Sequence, residues 1–227
     1  MSRSNDDAAT DLLIKEVDED LRQEELTRVW KKHGGLLLAG AIAVVLGVAG
    51  WQGWTSWELK QRQDSSLRFA EAAALIDQGR RDEAAEMLGK QAVTAEKGYR
   101  ILAEMRLADL RLQQGDAAGA VTIFQRIAGD DAVDRVYRDM AAIRAAYLSL
   151  DSADPAAIEK AMEPLAVESS SWRHSAREIQ ALAALRRGDA ARAGELFAKV
   201  AEDAAAPQGL RTRAAEMQAV TGQRPRS

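Results

Sequence analysis

Cysteine is absent from the 227 residues of this chain. That excludes disulfides and thiolate chemistry, and a chain without thiols suits an oxidising compartment. Histidine occurs only as His33 and His174, which lie in different parts of the chain. No pair has the spacing of a metal site, and no thiolate is there to complete one. Prolines are few (Pro155, Pro164, Pro207, Pro225) and aromatics make up 5%, so little interrupts helix and little favours strand. Basic charge is not in excess: the net charge is -4. With no basic stripe, the electrostatic footprint of a nucleic-acid binder is missing. No phosphate-cradling glycine loop occurs. Ser169, Ser170 and Ser171 beside Trp172, Arg173 and His174 read as a turn and a helix start, with the serines capping and the indole packing. No nucleophile–base pair remains, so the chain is read as a non-enzyme without a cofactor or metal.

Charge is also missing from one long stretch. Gly34 to Trp57 reads GGLLLAGAIAVVLGVAGWQGWTSW with no Asp, Glu, Lys or Arg. About 20 apolar residues, rising ~1.5 Å each, match the ~30 Å hydrocarbon core of a bilayer. A cleaved signal peptide has a short basic start and a small-residue cleavage site. Here an acidic cluster (Asp18, Glu19, Asp20, Glu24, Glu25) precedes the run, and the best cleavage position, Val48-Ala49-Gly50, is followed by Trp51. The run therefore predicts a single membrane-spanning helix. Trp51, Trp54 and Trp57 at its end and Trp30 before its start are candidate interface anchors, since indoles favour the boundary of lipid and water. Ala39, Ala43 and Gly47 recur every fourth position and form a candidate helix–helix contact. Lys31 and Lys32 lie closest to the run, which orients the N-terminus to the cytoplasm and the body to the far side.

The segment before the run, residues 1–33, carries Leu13, Val17 and Leu21, then Leu26, Val29 and Trp30, at near-helical spacing. It is expected to form an amphipathic helix, with Thr10 as its cap. Its acidity opposes simple adhesion to anionic lipid, which leaves docking on a partner or a solvated helix.

The body, residues 58–220, is rich in Ala, Leu, Glu, Arg and Gln, a helix-favouring composition; residues 221–227 are expected to be a disordered tail. A pattern recurs in it: QGRRDEAAEML from Gln78, QGDAAGAVTIF from Gln114 and RGDAARAGELF from Arg187. Gly79 and Gly115 are 36 apart, and Gly115 and Gly188 are 73 apart. The intervening unit turns near Ser152, where Asp154-Pro155-Ala156-Ala157 replaces the Gly-Asp turn. Such a period marks stacked helical hairpins. The glycine ends one helix and the Asp after it, or Asp82 in the first unit, caps the next. Ala84, Ala120 and Ala193 let the hairpin close, while Leu88, Phe124 and Phe197 fill the space beyond; Ile158 and Met162 take these places in the divergent unit.

This Gly-Asp turn, small residue and Phe resemble the tetratricopeptide repeat, although the first helices lack the usual aromatics. The fold class expected is all-α, one transmembrane helix followed by a tetratricopeptide-like α-solenoid of about four hairpins, from Ser65 to Val220. In such stacks the first helix of each hairpin lines a concave face. Projecting the period puts Phe69, Met105, Ile143 and Glu178 in one column, Ala73, Asp109, Tyr147 and Leu182 in the next, and Ile76, Leu112, Leu150 and Leu185 nearer the core. The first two columns form a largely apolar candidate groove for an extended or helical peptide, or pack on one another.

The whole arrangement, with the string VDEDLRQEELTRVWKKHG set directly before the span, resembles the ancillary subunit of the bacterial Sec translocon. That resemblance implies a single-pass protein of the bacterial inner membrane with its repeats in the periplasm. The partners it implies are the Sec channel and a membrane-anchored chaperone related to prolyl isomerases, with exported proteins as clients. A scaffold for another envelope assembly uses the same physics with different partners.

Overall fold

The computed structural model describes the backbone of residues 3–222; the side chains of residues 1–30, 34, 37, 41 and 97 lie outside the described residues. Among the described residues the regular elements are helical. They are α1 (Arg3–Asp77), α2 (Arg81–Thr94), α3 (Lys97–Gln113), α4 (Ala117–Gly129), α5 (Arg135–Ser149), α6 (Pro155–Met162), α7 (Arg173–Arg186), α8 (Ala190–Ala201) and α9 (Gln208–Gly222), with one 3-10 turn at Glu163–Leu165. The chain divides into two compact units, Met1–Gln61 and Arg62–Ser227.

In the first unit the uncharged run is helical and open. Leu36, Leu38, Ile42, Val44, Val45, Leu46 and Val48 are all exposed. A helix of a soluble core turns such side chains inward. By length and composition, one helix among the described residues is apolar enough to cross a membrane, within Leu38–Asp77; its apolar window has mean hydropathy 1.4 and is 0% buried. The amphipathic side chains expected over residues 1–30, Trp30 among them, lie outside the described residues.

The second unit is a stack of hairpins. Residues 62–77 of α1 pair with α2, then α3 with α4, α5 with α6 and α7 with α8; α9 follows as a single helix. Each layer of core bridges neighbouring hairpins. Ala72, Leu75, Ala84 and Leu88 pack on Ala103 and Leu110 of α3. Ile101, Phe124 and Ile127 pack on Ala141 and Ala145 of α5. Ile158, Met162 and Leu165 pack on Ala176 and Ile179 of α7. Phe197 and Val200 pack on Ala214 of α9. The repeat positions read from the sequence hold their places: Ala84, Ala120, Ala193, Leu88, Phe124 and Phe197 are fully buried.

Three turns share one hydrogen-bond scheme. Gly79, Gly115 and Gly188 take φ of 77°, 83° and 88°, a region that costs glycine little. Their N–H groups donate to Ile76, Leu112 and Leu185 at 2.9–3.0 Å, and the next residue donates five back, to Leu75, Arg111 and Ala184 at 2.8–2.9 Å. Helix-end carbonyls are thereby satisfied before the chain reverses. Asp116 and Asp189 then cap the following helices, accepting from the Gly119 N–H at 2.8 Å and the Arg192 N–H at 3.0 Å.

The first turn keeps these backbone bonds but lacks the side-chain cap. Arg80 holds the cap position of α2 and makes no side-chain cap. Asp82, expected to cap, lies in the first turn of α2 and accepts from Gln114 Nε2 at 3.1 Å, across to the next hairpin. The reason is the Gly-Arg-Arg-Asp spacing, which moves the carboxylate two residues past the cap. The third turn needs no glycine. Asp154 caps α6 through the Ala156 N–H at 3.3 Å with Pro155 at the first helical position. From α7, Arg186 donates to the carbonyls of Leu150, of Ala153 at 2.9 Å and of Asp151 at 3.2 Å. One guanidinium thus takes the place of the left-handed turn.

Candidate partner-binding surface

The first helices of the hairpins, residues 62–77 of α1 with α3, α5 and α7, carry the projected columns. Helix periodicity brings α3, α5, α7 and α9 residues into register about 35 positions apart. Met105 and Ile143 are buried, Met105 against the α3–α4–α5 core and Ile143 against the α5–α6–α7 core. Phe69 and Ile76 pack at the edge of the first core, and Phe69 stands 6.3 Å from the Tyr99 ring. Ala73 is half-buried. Leu112 and Leu150 pack on the middle cores, Leu182 and Leu185 on the last.

What these columns present beyond the cores is polar. Asp109 of α3 accepts from the Arg144 guanidinium of α5. Arg144 also lies 4.5 Å from the centroid of the Phe124 ring, a cation–π distance. Tyr147 of α5 donates its hydroxyl to Glu178 of α7. Glu178, 4% exposed, accepts in turn from Arg213 of α9, at Nε 2.9 Å and Nη2 3.0 Å. A buried carboxylate is costly unless paired and hydrogen-bonded, and here the fork of Arg213 meets both oxygens. Burial and the neighbouring Glu178 carboxylate push the Tyr147 hydroxyl well above its ordinary range. Glu178 also raises Arg213 further. Both groups therefore stay protonated at neutral pH. Sequence reasoning placed Asp109, Tyr147 and Glu178 on this face but did not see Arg144 and Arg213. The signal was present in the spacing: each lies 35 residues from its partner, one hairpin away.

Two further polar clusters knit the stack. His174, buried, meets Asp203 at 2.7 Å, and Arg173 lies 3.5 Å from the same carboxylate. The hydrogen bond from His174 and that from the Ala205 N–H hold Asp203 at about 2, below its ordinary value. Glu159 stands between Arg187 at 3.3 Å and Arg192 at 3.2 Å. Ser170 accepts from the Trp172 N–H at 3.1 Å, and Trp172 packs against the α5–α6–α7 core. Among the described residues no three His, Cys, Asp or Glu side chains gather as a metal site.

In the first unit Trp51, Trp54 and Trp57 are 74%, 65% and 55% exposed. The last two rings stand 5.6 Å apart, tilted by 46°. Ala39, Ala43 and Gly47 are exposed on the same helix, and nothing lies within 4 Å of a Cβ built on Gly47.

A sequence profile of the family described as Tetratricopeptide repeat-like domain matches residues 28–219. The match takes in the uncharged run as well as the hairpins. No curated protein and no solved structure matches the chain.

Proposed function

The chain belongs to the tetratricopeptide repeat-like domain family, and from that premise we propose a membrane-tethered protein-interaction module, an ancillary subunit beside the bacterial Sec translocon. Families of this kind typically bind rather than catalyse, and a stack of hairpins offers an extended surface to protein partners. One observation carries the tether: an uncharged, tryptophan-ended helical stretch that buries none of its apolar window, matched together with the hairpins as one family region. Side chains of that kind left open to water are costly, and lipid removes the cost.

In this reading the helix spans the inner membrane once. Trp51, Trp54 and Trp57 anchor at the interface, the N-terminal segment is cytoplasmic and the hairpins are periplasmic. Ala39, Ala43 and Gly47 face another membrane helix. The hairpins hold exported proteins or a membrane-anchored prolyl-isomerase-like chaperone. Support for the Sec assignment comes from the acidic segment VDEDLRQEELTRVWKKHG set directly before the span.

Two measurements test it. Protease added to sealed right-side-out vesicles is expected to digest the hairpins and spare the N-terminal segment; protection of the hairpins refutes the orientation. Affinity purification from native membranes in mild detergent is expected to recover Sec channel components. Recovery of a different envelope complex in their place refutes the Sec assignment and leaves a scaffold for that complex.

A further inference from the structure

With the Asp109–Arg144 and Tyr147–Glu178–Arg213 ladder closing one side of the first helices, the open space lies on the other. At 100° per residue, Arg144 and Tyr147 occupy one side of α5, while Arg135, Ala142 and Ser149 occupy the opposite side. Over that second side runs a channel between α4 and α6. A cavity of about 360 Å³ is lined by Ala128, Ala142, Ala146, Ala157 and Ala161. It shares Ala128, Ala142 and Ala161 with one of about 250 Å³ that reaches Arg135, Arg138 and Asp139. This in turn shares Arg135 and Asp139 with a third, of about 520 Å³, bounded by Ser169, Ser171 and Trp172. The gap has a cause in the elements. Helix α6 has 8 residues, against 14 in α2, 13 in α4 and 12 in α8, so it leaves much of α5 uncovered.

We infer that this channel docks an extended, unfolded polypeptide segment in which bulky apolar side chains adjoin an acidic residue. The inference deepens the client-handling reading above and rests on it. Alanine lining leaves room that only larger side chains brought from elsewhere fill with contacts. The exposed hydroxyls of Ser169 and Ser171 can pair with the open N–H and C=O groups of an extended chain. A helix would arrive with those groups already satisfied. Charge complementarity selects the acidic end: the charged lining residues are two guanidiniums, Arg135 and Arg138, against one carboxylate, Asp139. The Arg135 side chain is 73% exposed and 3.4 Å from Asp139; Arg138 pairs outward with Asp131, which is 97% exposed. Each of these pairs has one partner well exposed to water, where the attraction is screened, so an incoming carboxylate competes for the two guanidiniums. Arg135 and Ser149 are 14 positions apart, about 21 Å along the helix, which matches about six residues of extended chain.

The test uses the full chain in nanodiscs and two fluorescent seven-residue peptides. Both alternate Phe and Leu with polar residues; one ends in two glutamates, the other in two lysines. Fluorescence anisotropy is expected to show the acidic peptide binding at least tenfold more tightly. Ala161→Phe, on an exposed position at the junction of two cavities, is expected to lower that affinity at least tenfold with unchanged circular dichroism. Arg135→Glu is expected to remove the preference for the acidic peptide. Lys90→Ala, on the exposed face of α2 and outside the channel lining, is expected to leave binding intact. Equal binding of the two peptides, or normal binding by Ala161→Phe, overturns the inference, as does loss of binding in Lys90→Ala alone. These outcomes are independent of the vesicle and co-purification results: a chain that recovers the Sec channel and ignores the peptides refutes the channel and spares the proposed function.

Discussion

Asp116 and Asp189 each do two things at one position: the backbone N–H closes the preceding helix, and the carboxylate opens the next. Asp116→Ala and Asp189→Ala are each expected to lower stability by about 1 kcal/mol, the typical worth of an N-cap, read from urea unfolding of the detergent-solubilised chain. Asp82→Ala is expected to cost less, because its carboxylate accepts only from an exposed Gln114 amide. Asp203 carries a pH prediction. Its carboxyl sits at about 2 in the folded chain, below the ordinary 3.8, so folding favours the ionised form. The stabilisation is present above pH ~4 and fades as pH falls toward 2. The melting-temperature gap between the parent and Asp203→Asn should be open at pH 5 and close between pH 4 and 2. A gap that persists at pH 2 contradicts the His174–Asp203 bond as its source. Glu104 has the opposite sign: burial raises its carboxyl against the pull of Arg126 and Arg100, so ionisation at neutral pH opposes folding there.

Among the elements, α9 closes the far end of the stack. It seats Ala214 in the last core and brings Thr221 against Gly194 of α8, where an added Cβ would meet the Thr221 hydroxyl at 3.2 Å. Gly194→Leu is expected to lift the end of α9. Amide exchange over residues 208–222 should then speed up about tenfold or more, while α3 to α5 keep their protection; uniform acceleration through the stack would show instead that the hairpins unfold as one unit. Helix α6 depends on a side chain from another element. Without the glycine turn, Arg186 of α7 supplies the donors for the Leu150, Asp151 and Ala153 carbonyls. Arg186→Ala is expected to destabilise the third hairpin by about 1.5–3 kcal/mol, the range for hydrogen bonds to charged groups, as read from the midpoint of urea unfolding.

For the whole molecule, the decisive quantity is where the uncharged run resides. Val44→Arg together with Val45→Arg puts two charges at its centre, at roughly 2.5–3.5 kcal/mol each on insertion scales. The doubly substituted chain is expected in the soluble fraction of lysed cells, with the parent in the membrane fraction. Equal partition of the two chains would show that this stretch is not the tether. The hairpins should keep their helical circular dichroism in either case, since Met1–Gln61 and Arg62–Ser227 are separate compact units.

Local chemistry settled what the amino-acid order could announce by itself. Gly79, Gly115 and Gly188 mark turns because only glycine enters that backbone region cheaply, and a charge-free run is visible by counting. The hairpin period and the buried Ala and Phe positions follow from the same short-range logic. Tertiary structure decided everything that joins residues one hairpin apart. Arg144 reaches Asp109, Arg213 reaches Glu178 and Arg186 reaches the third turn, so a surface that reads as apolar becomes an ion ladder. The reason is geometric: spacing within one helix is set by its pitch, whereas pairing between helices depends on how the stack brings their faces together.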